Sequence, residues 1–111
     1  MSDIPAVTVT QLHDLVASGQ RVYLLDVRTE EEFRAERLRF TDDRIPYDSL
    51  SFYVERLPRD KSTPIYTFCR AGRRSGIAAD FLKSIGYENV YNVAGGILAW
   101  KEAGYETVTG E

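Results

Sequence analysis

The stretch Cys69-Arg70-Ala71-Gly72-Arg73-Arg74-Ser75-Gly76 sets the only cysteine of the chain beside three arginines, two glycines and a serine. It falls between an apolar run at 64–68, which predicts a buried strand, and an amphipathic run that predicts a helix. In open α/β sheets, ligands bind at the carboxyl ends of strands. A helix N-terminus offers unpaired backbone N–H groups and a partial positive charge. A tight glycine-containing loop lets several such groups converge on one anion. A cysteine at the edge of such a cradle has its pKa lowered and is a nucleophile at neutral pH. The competing reading is a core cysteine followed by a solvated arginine loop. The strand-end position, followed at once by this loop, favours the reactive thiol.

The elements that must position these residues follow from periodicity. Thr8-Val9-Thr10-Gln11 is a capping box that opens a short helix with Leu12, Leu15 and Val16 as its apolar stripe; Ser18-Gly19 ends it. Residues 22–27 form a nearly continuous apolar run, as a buried parallel strand requires. Thr29-Glu30-Glu31-Glu32 is a second capping box, with Phe33 starting the buried side of its helix. The glutamates suit the positive end of that helix better than a metal. Residues 38–45 are ambiguous and have room for a short strand. Residues 50–57 read as a helix carrying Leu50, Tyr53, Val54 and Leu57 on one side, stopped by Pro58. After the cysteine loop, Ile77, Ala78, Phe81, Leu82 and Ile85 mark a helix ending at Gly86. A strand at 89–93 and a helix at 96–103, ended by Gly104, complete the pattern, and residues 107–111 are expected to fray. Alternating strands and helices predict an α/β fold: a mainly parallel sheet of about five strands with helices on both faces.

Composition bounds the rest. The chain has 111 residues, 43% of them hydrophobic and 28% charged, and a formal charge of −3. That size and make-up predict one folded domain over 1–111. No run approaches the ~18 apolar residues of a membrane span. The acidic balance argues against a nucleic-acid or membrane-surface binder. No secretory signal is visible at the N-terminus, so a cytoplasmic location is expected. One cysteine and one histidine, His13, exclude an internal disulfide and the usual four-ligand zinc site, and no metal or cofactor is expected. Nucleophile-elbow, phosphate-loop and dinucleotide fingerprints are all missing. His13 lies off its helix's apolar stripe and reads as an exposed residue without a role. Trp100, Phe81 and Tyr91 read as packing, whereas Tyr47, Phe52 and Tyr53 are candidates for a pocket mouth.

Taken in order, these segments resemble the single-domain rhodanese family of thiosulfate-type sulfurtransferases. Leu25-Asp26-Val27-Arg28 with Glu31-Glu32-Phe33 is similar to the family's first strand and helix, and Ile45-Pro46 with Leu50 to its next marker. Cys69 to Ser75 looks like its active-site loop. The segments around Gly86-Tyr87, Val90-Tyr91, Ala94-Gly95-Gly96-Ile97, Ala99-Trp100 and Gly104-Tyr105 are similar to its C-terminal signature. The segment 36–44 departs from the family: it lacks the glycines and histidine usual there. Phosphatase relatives place an arginine after cysteine and five further residues. Here Ser75 holds that place and Arg74 precedes it, so the loop is one residue shorter, a length suited to a sulfur carried on cysteine.

The resemblance implies sulfur transfer in two steps, with Cys69 as nucleophile and the 70–75 backbone stabilising a persulfide. Arg70, Arg73 and Arg74, with Ala71, Gly72 and Ser75, are the expected substrate cradle. Which arginine faces the pocket is open, and Arg74 has the alternative of pairing with a carboxylate to shape the loop. Ser75 is placed to hydrogen-bond the sulfur. Asp26 and Arg28 are expected to be structural. The expected partners are a small anionic donor such as thiosulfate and a thiol, protein or cyanide acceptor. Two rivals remain: an arsenate reductase or phosphatase-like enzyme, for which Asp42, Asp43 and Asp48 are the available acids, and a non-catalytic regulatory module.

Overall fold

The computed structural model describes residues 4–110. Their elements run β1 (Ala6–Val7), α1 (Val9–Ala17), β2 (Tyr23–Asp26), α2 (Glu30–Ala35), β3 (Asp43–Arg44), two 3-10 segments (Tyr47–Phe52 and Val54–Arg56), β4 (Ile65–Phe68), α3 (Arg73–Ser84), β5 (Val90–Val93) and α4 (Gly96–Glu102). The strands form one parallel sheet in the order β1-β5-β4-β2-β3. The chain leaves β2 toward β3 on one side and leaves β4 toward β5 on the other. The crevice between the carboxyl ends of β2 and β4 is therefore the switch point where α/β sheets bind ligands.

Strand alternation divides the core in two. Leu25, Ile65, Cys69 and Val90 face a cluster with Ala78, Ala79 and Leu82 of α3. Leu24, Tyr66, Phe68 and Val93 face a second cluster with Leu12 of α1 and Ile97 and Trp100 of α4. Helices thus cover both faces, as the periodicity predicts. Both capping boxes form: Thr8 with Gln11, and Thr29 with Glu32.

Several expectations are corrected. Residues 50–57 are not one α-helix. The chain from Pro46 makes two 3-10 segments, broken at Tyr53 with φ −130°. Asp48, Ser49 and Ser51 are residue types of low intrinsic helix propensity, which disfavours a longer α-helix here. Only Leu50 and Leu57 are buried; Phe52, Tyr53 and Val54 are exposed. On α3, Ile77 is exposed and Ala79 takes its place in the core. Phe33 is only half-buried, with the Arg37 guanidinium over its ring. His13 stacks on Tyr105 with ring centroids 4.1 Å apart. The tail does not fray as far as Gly110. Val108 and Arg37 exchange backbone hydrogen bonds of 2.8 and 2.9 Å, Gly110 N–H donates to Arg34 O, and Trp100 Nε1 donates to Glu106 O. Glu111 lies outside the described residues.

Candidate active site

Cys69 follows β4 directly and is 1% exposed. It lies at the floor of a cavity of about 180 Å³ lined also by Arg70, Ala71, Arg73 and Arg74. The loop curls around its sulfur because Gly72 has φ +105°, a left-handed conformation that glycine adopts without a Cβ penalty. The Gly72 N–H donates to Sγ at 3.1 Å and the Ser75 N–H at 3.4 Å, while Ser75 Oγ lies 3.3 Å away. Burial pushes the thiol pKa up. The Ser75 hydroxyl and the N–H groups of Ser75, Gly72 and Ala71 outweigh it and leave the thiol below its ordinary value. These donors, at the N-terminus of α3, favour the thiolate form of Cys69 over the thiol.

Helix α4 holds the loop from behind. Ile97 N–H donates to Cys69 O and Leu98 N–H to Arg70 O. Gly96 has φ +55°, and a Cβ there would overlap the Cys69 and Arg70 carbonyls. This close approach explains why glycine occupies the first position of α4.

The three arginines separate into two environments. Arg74 makes a bidentate pair with Glu32 at 2.8 and 2.9 Å, tying the start of α3 to α2. The Arg74 guanidinium holds the Glu32 carboxyl down at about 2. Arg70 and Arg73 are exposed at the cavity, and among the described residues neither has a carboxylate partner. Asp26 and Arg28 are a buried pair. The Arg28 side chain meets both Asp26 oxygens and extends to the carbonyls of Glu32 and Glu36, capping the end of α2. Asp42 accepts from Leu24 N–H at 2.8 Å and Asp43 binds Arg56. None of Asp42, Asp43, Asp48, Tyr47, Phe52 or Tyr53 lines the cysteine cavity. Among the described residues, no group of three or more His, Cys, Asp or Glu is placed to hold a metal.

Two residues of the site escaped the sequence reading. Thr67 Oγ1 donates to Ser75 O at 2.9 Å, and Asn92 contacts both Ser75 and Gly72. They are register partners on β4 and β5, on the sheet face that carries Cys69. The available signal was a polar residue inside each of two otherwise apolar strands.

The rhodanese-like domain matches residues 8–103. The chain belongs to the rhodanese-like family. The adenylyltransferase and sulfurtransferase uba4 of Ogataea parapolymorpha is 42% identical over 84 residues, which are 75% of this chain but only 21% of that protein's length. The thiosulfate sulfurtransferase GlpE of Tolumonas auensis is 29% identical over 98% of this chain and 99% of its own. The crystal structure of a rhodanese-related protein from Thermoplasma volcanium superposes with TM-score 0.82 at 29% identity, covering 94% of this chain and 97% of that one. The likenesses are to proteins named sulfurtransferase and to a solved rhodanese-related structure. They match the chain's fold, and no helix among the described residues is long and apolar enough to cross a membrane.

Proposed function

We propose that this rhodanese-like chain moves a sulfane sulfur from thiosulfate or a persulfide donor to a thiol or cyanide acceptor, through a persulfide on Cys69. The observation that carries this reading is the sulfur itself: Cys69 Sγ receives two loop N–H groups inside a small cavity flanked by Arg70 and Arg73, which have no carboxylate partner among the described residues. Arg70 and Arg73 attract the anionic donor. The Cys69 thiolate attacks the outer sulfur of thiosulfate; the Sγ–sulfur bond forms, the sulfur–sulfur bond of the donor breaks, and its electron pair leaves with sulfite. The terminal sulfur then carries the negative charge. The N–H groups of the 70–75 loop stabilise it in the way preorganised donors stabilise an oxyanion. Cyanide or a thiolate takes that sulfur and returns Cys69 as thiolate, a ping-pong cycle without a cofactor. The short loop and the absence of a cavity-lining carboxylate among the described residues favour this reading over phosphate ester hydrolysis, which needs an acid for its leaving group.

The test is thiosulfate:cyanide sulfurtransferase activity of the wild type and Cys69→Ser, with intact masses. Thiocyanate formation lost in the variant, and an adduct of about 32 Da on the wild type alone, support the proposal. A folded wild type with neither turnover nor adduct, using thiosulfate and then a protein persulfide donor, overturns it.

A further inference from the structure

Asn92 has no place in the mechanism above, yet its amide joins two parts of the sulfur cradle. Its Nδ2 donates to Gly72 O at 3.1 Å, which fixes the orientation of the amide and turns Oδ1 toward Ser75. The Ser75 hydroxyl donates to that Oδ1 at 2.5 Å. Ser75 is wholly buried, and its carbonyl is anchored by Thr67. Its hydroxyl has one proton and faces two acceptors, Asn92 Oδ1 on one side and Cys69 Sγ on the other.

We infer that Asn92 is a positioning residue that competes with the Cys69 sulfur for the Ser75 hydroxyl proton, so that Ser75 changes partner with the charge on Sγ. The inference rests on Cys69 being the nucleophile. In the thiol, S–H donates to Ser75 Oγ and Ser75 donates to Asn92, a continuous chain with every proton placed. When the thiol proton leaves to solvent, the Ser75 hydroxyl turns to the thiolate. In the persulfide, Sγ is a neutral sulfur bonded on both sides and the charge lies one atom further out, so the hydroxyl returns to Asn92. Asn92 thus tempers the stabilisation of the thiolate. A thiolate stabilised too far is a weaker nucleophile and a better leaving group, so this competition keeps Sγ reactive and favours loading.

The charged groups around Sγ leave this assignment to Asn92. The loop and the start of α3 bring Arg70, Arg73 and Arg74; α2 brings Glu32, bound to Arg74; β2 contributes Asp26, paired with Arg28. Strand β5 and the first turn of α4 carry no charged side chain. Asn92 acts through a hydrogen bond, and its removal changes no charge.

The test is the pH dependence of Cys69 alkylation by iodoacetamide, which reads the thiolate directly and needs no sulfur donor. Failure of the sulfur-transfer reading therefore leaves it intact. Asn92→Ala is expected to lower the midpoint by about 0.5 pH unit, roughly threefold in thiolate fraction, because Ser75 is freed for the sulfur. Ser75→Ala is expected to raise it, and Asn92→Ala added to Ser75→Ala is expected to shift it no further. A merely structural Asn92 predicts the opposite sign, since a loosened loop withdraws N–H donors from the thiolate. A raised midpoint in folded Asn92→Ala overturns the inference. Should that variant fail to fold, Asn92→Asp is introduced once with Ser75 intact and once together with Ser75→Ala. A rise that is much larger with Ser75 present supports the competition, and equal rises overturn it.

Discussion

Around Cys69, the polar side chains other than those of Arg70 and Arg73 have partners that limit what they can do. Glu32 is the clearest case, because it serves two elements at once. It closes the capping box with Thr29 and also binds Arg74 bidentately. Glu32→Gln retains the cap, since glutamine serves a capping box equally, and removes the charge opposite Arg74. The variant is expected to be about 1 kcal/mol less stable at pH 7, a value held down by the partial exposure of both side chains. The sign with pH follows from the depressed carboxyl. Its folded value is about 2 against 4.5 when free, so the stabilisation is complete above 4.5 and is lost as pH falls through about 2. Denaturation curves for both proteins at pH 7, 4.5 and 3 should converge as the pH drops; a constant gap would assign the loss to something other than this pair. The chemistry of this region was largely legible in the sequence, because cysteine, arginines and glycines lie within one loop. The partners were less so. Arg74 and Glu32 are 42 residues apart, and Asn92 joins Ser75 only because β4 and β5 pair in one register.

Elements with a local signal formed as read, and those without one did not. Both capping boxes and the four-residue strands β2, β4 and β5 carry their cause in adjacent residues. The 3-10 segments from Tyr47 do not: their apolar spacing resembles a helix, while serines and an aspartate oppose it. Helix α4 shows the opposite case, a short helix whose start is set by what lies behind it. Its first N–H groups hold the Cys69 and Arg70 carbonyls, and this needs Gly96 to approach without a side chain. Gly96→Ala places a Cβ into two carbonyls at φ +55°. Backbone strain and loss of the contact together predict a destabilisation of about 2–4 kcal/mol. The loop that shapes the sulfur cradle should move with it. The expected result is a lower Tm together with a raised Cys69 alkylation midpoint. Unchanged values for both would mean that α4 does not support the loop.

At the scale of the whole molecule, charge is distributed against the net balance. The chain carries −3 overall, yet Arg70 and Arg73 stand at the cavity with no carboxylate partner among the described residues, while Arg56 is tied down by Asp43 and Arg39 by Glu106. The tail takes part in this closure: Glu106 holds Arg39, and Val108 holds Arg37. No periodicity announces such a strap, because its bonds are a backbone pair and an exposed ion pair between residues far apart in the chain. Parallel strands gather the carboxyl ends, and with them the loop arginines, at one end of the sheet, whereas Arg21 precedes β2 and Arg59 precedes β4 at the other. An anion approaching the cavity meets two positive charges within about one Debye length, while the acidic remainder is screened beyond roughly 10 Å at 0.1 M salt. Arg70→Ala with Arg73→Ala should therefore raise KM for thiosulfate about tenfold, near 1.4 kcal/mol, with a smaller change in kcat. Arg21→Ala with Arg59→Ala makes the same change in net charge at the far end and should leave KM within about twofold. Steady-state kinetics at about 0.05 and 0.5 M salt separate the cases. If the cavity arginines recruit the donor, salt raises the wild-type KM and barely moves that of the Arg70/Arg73 variant. Equal salt dependence in the two would place recruitment in the overall field instead, and the cradle would then owe its selectivity to the loop N–H groups alone.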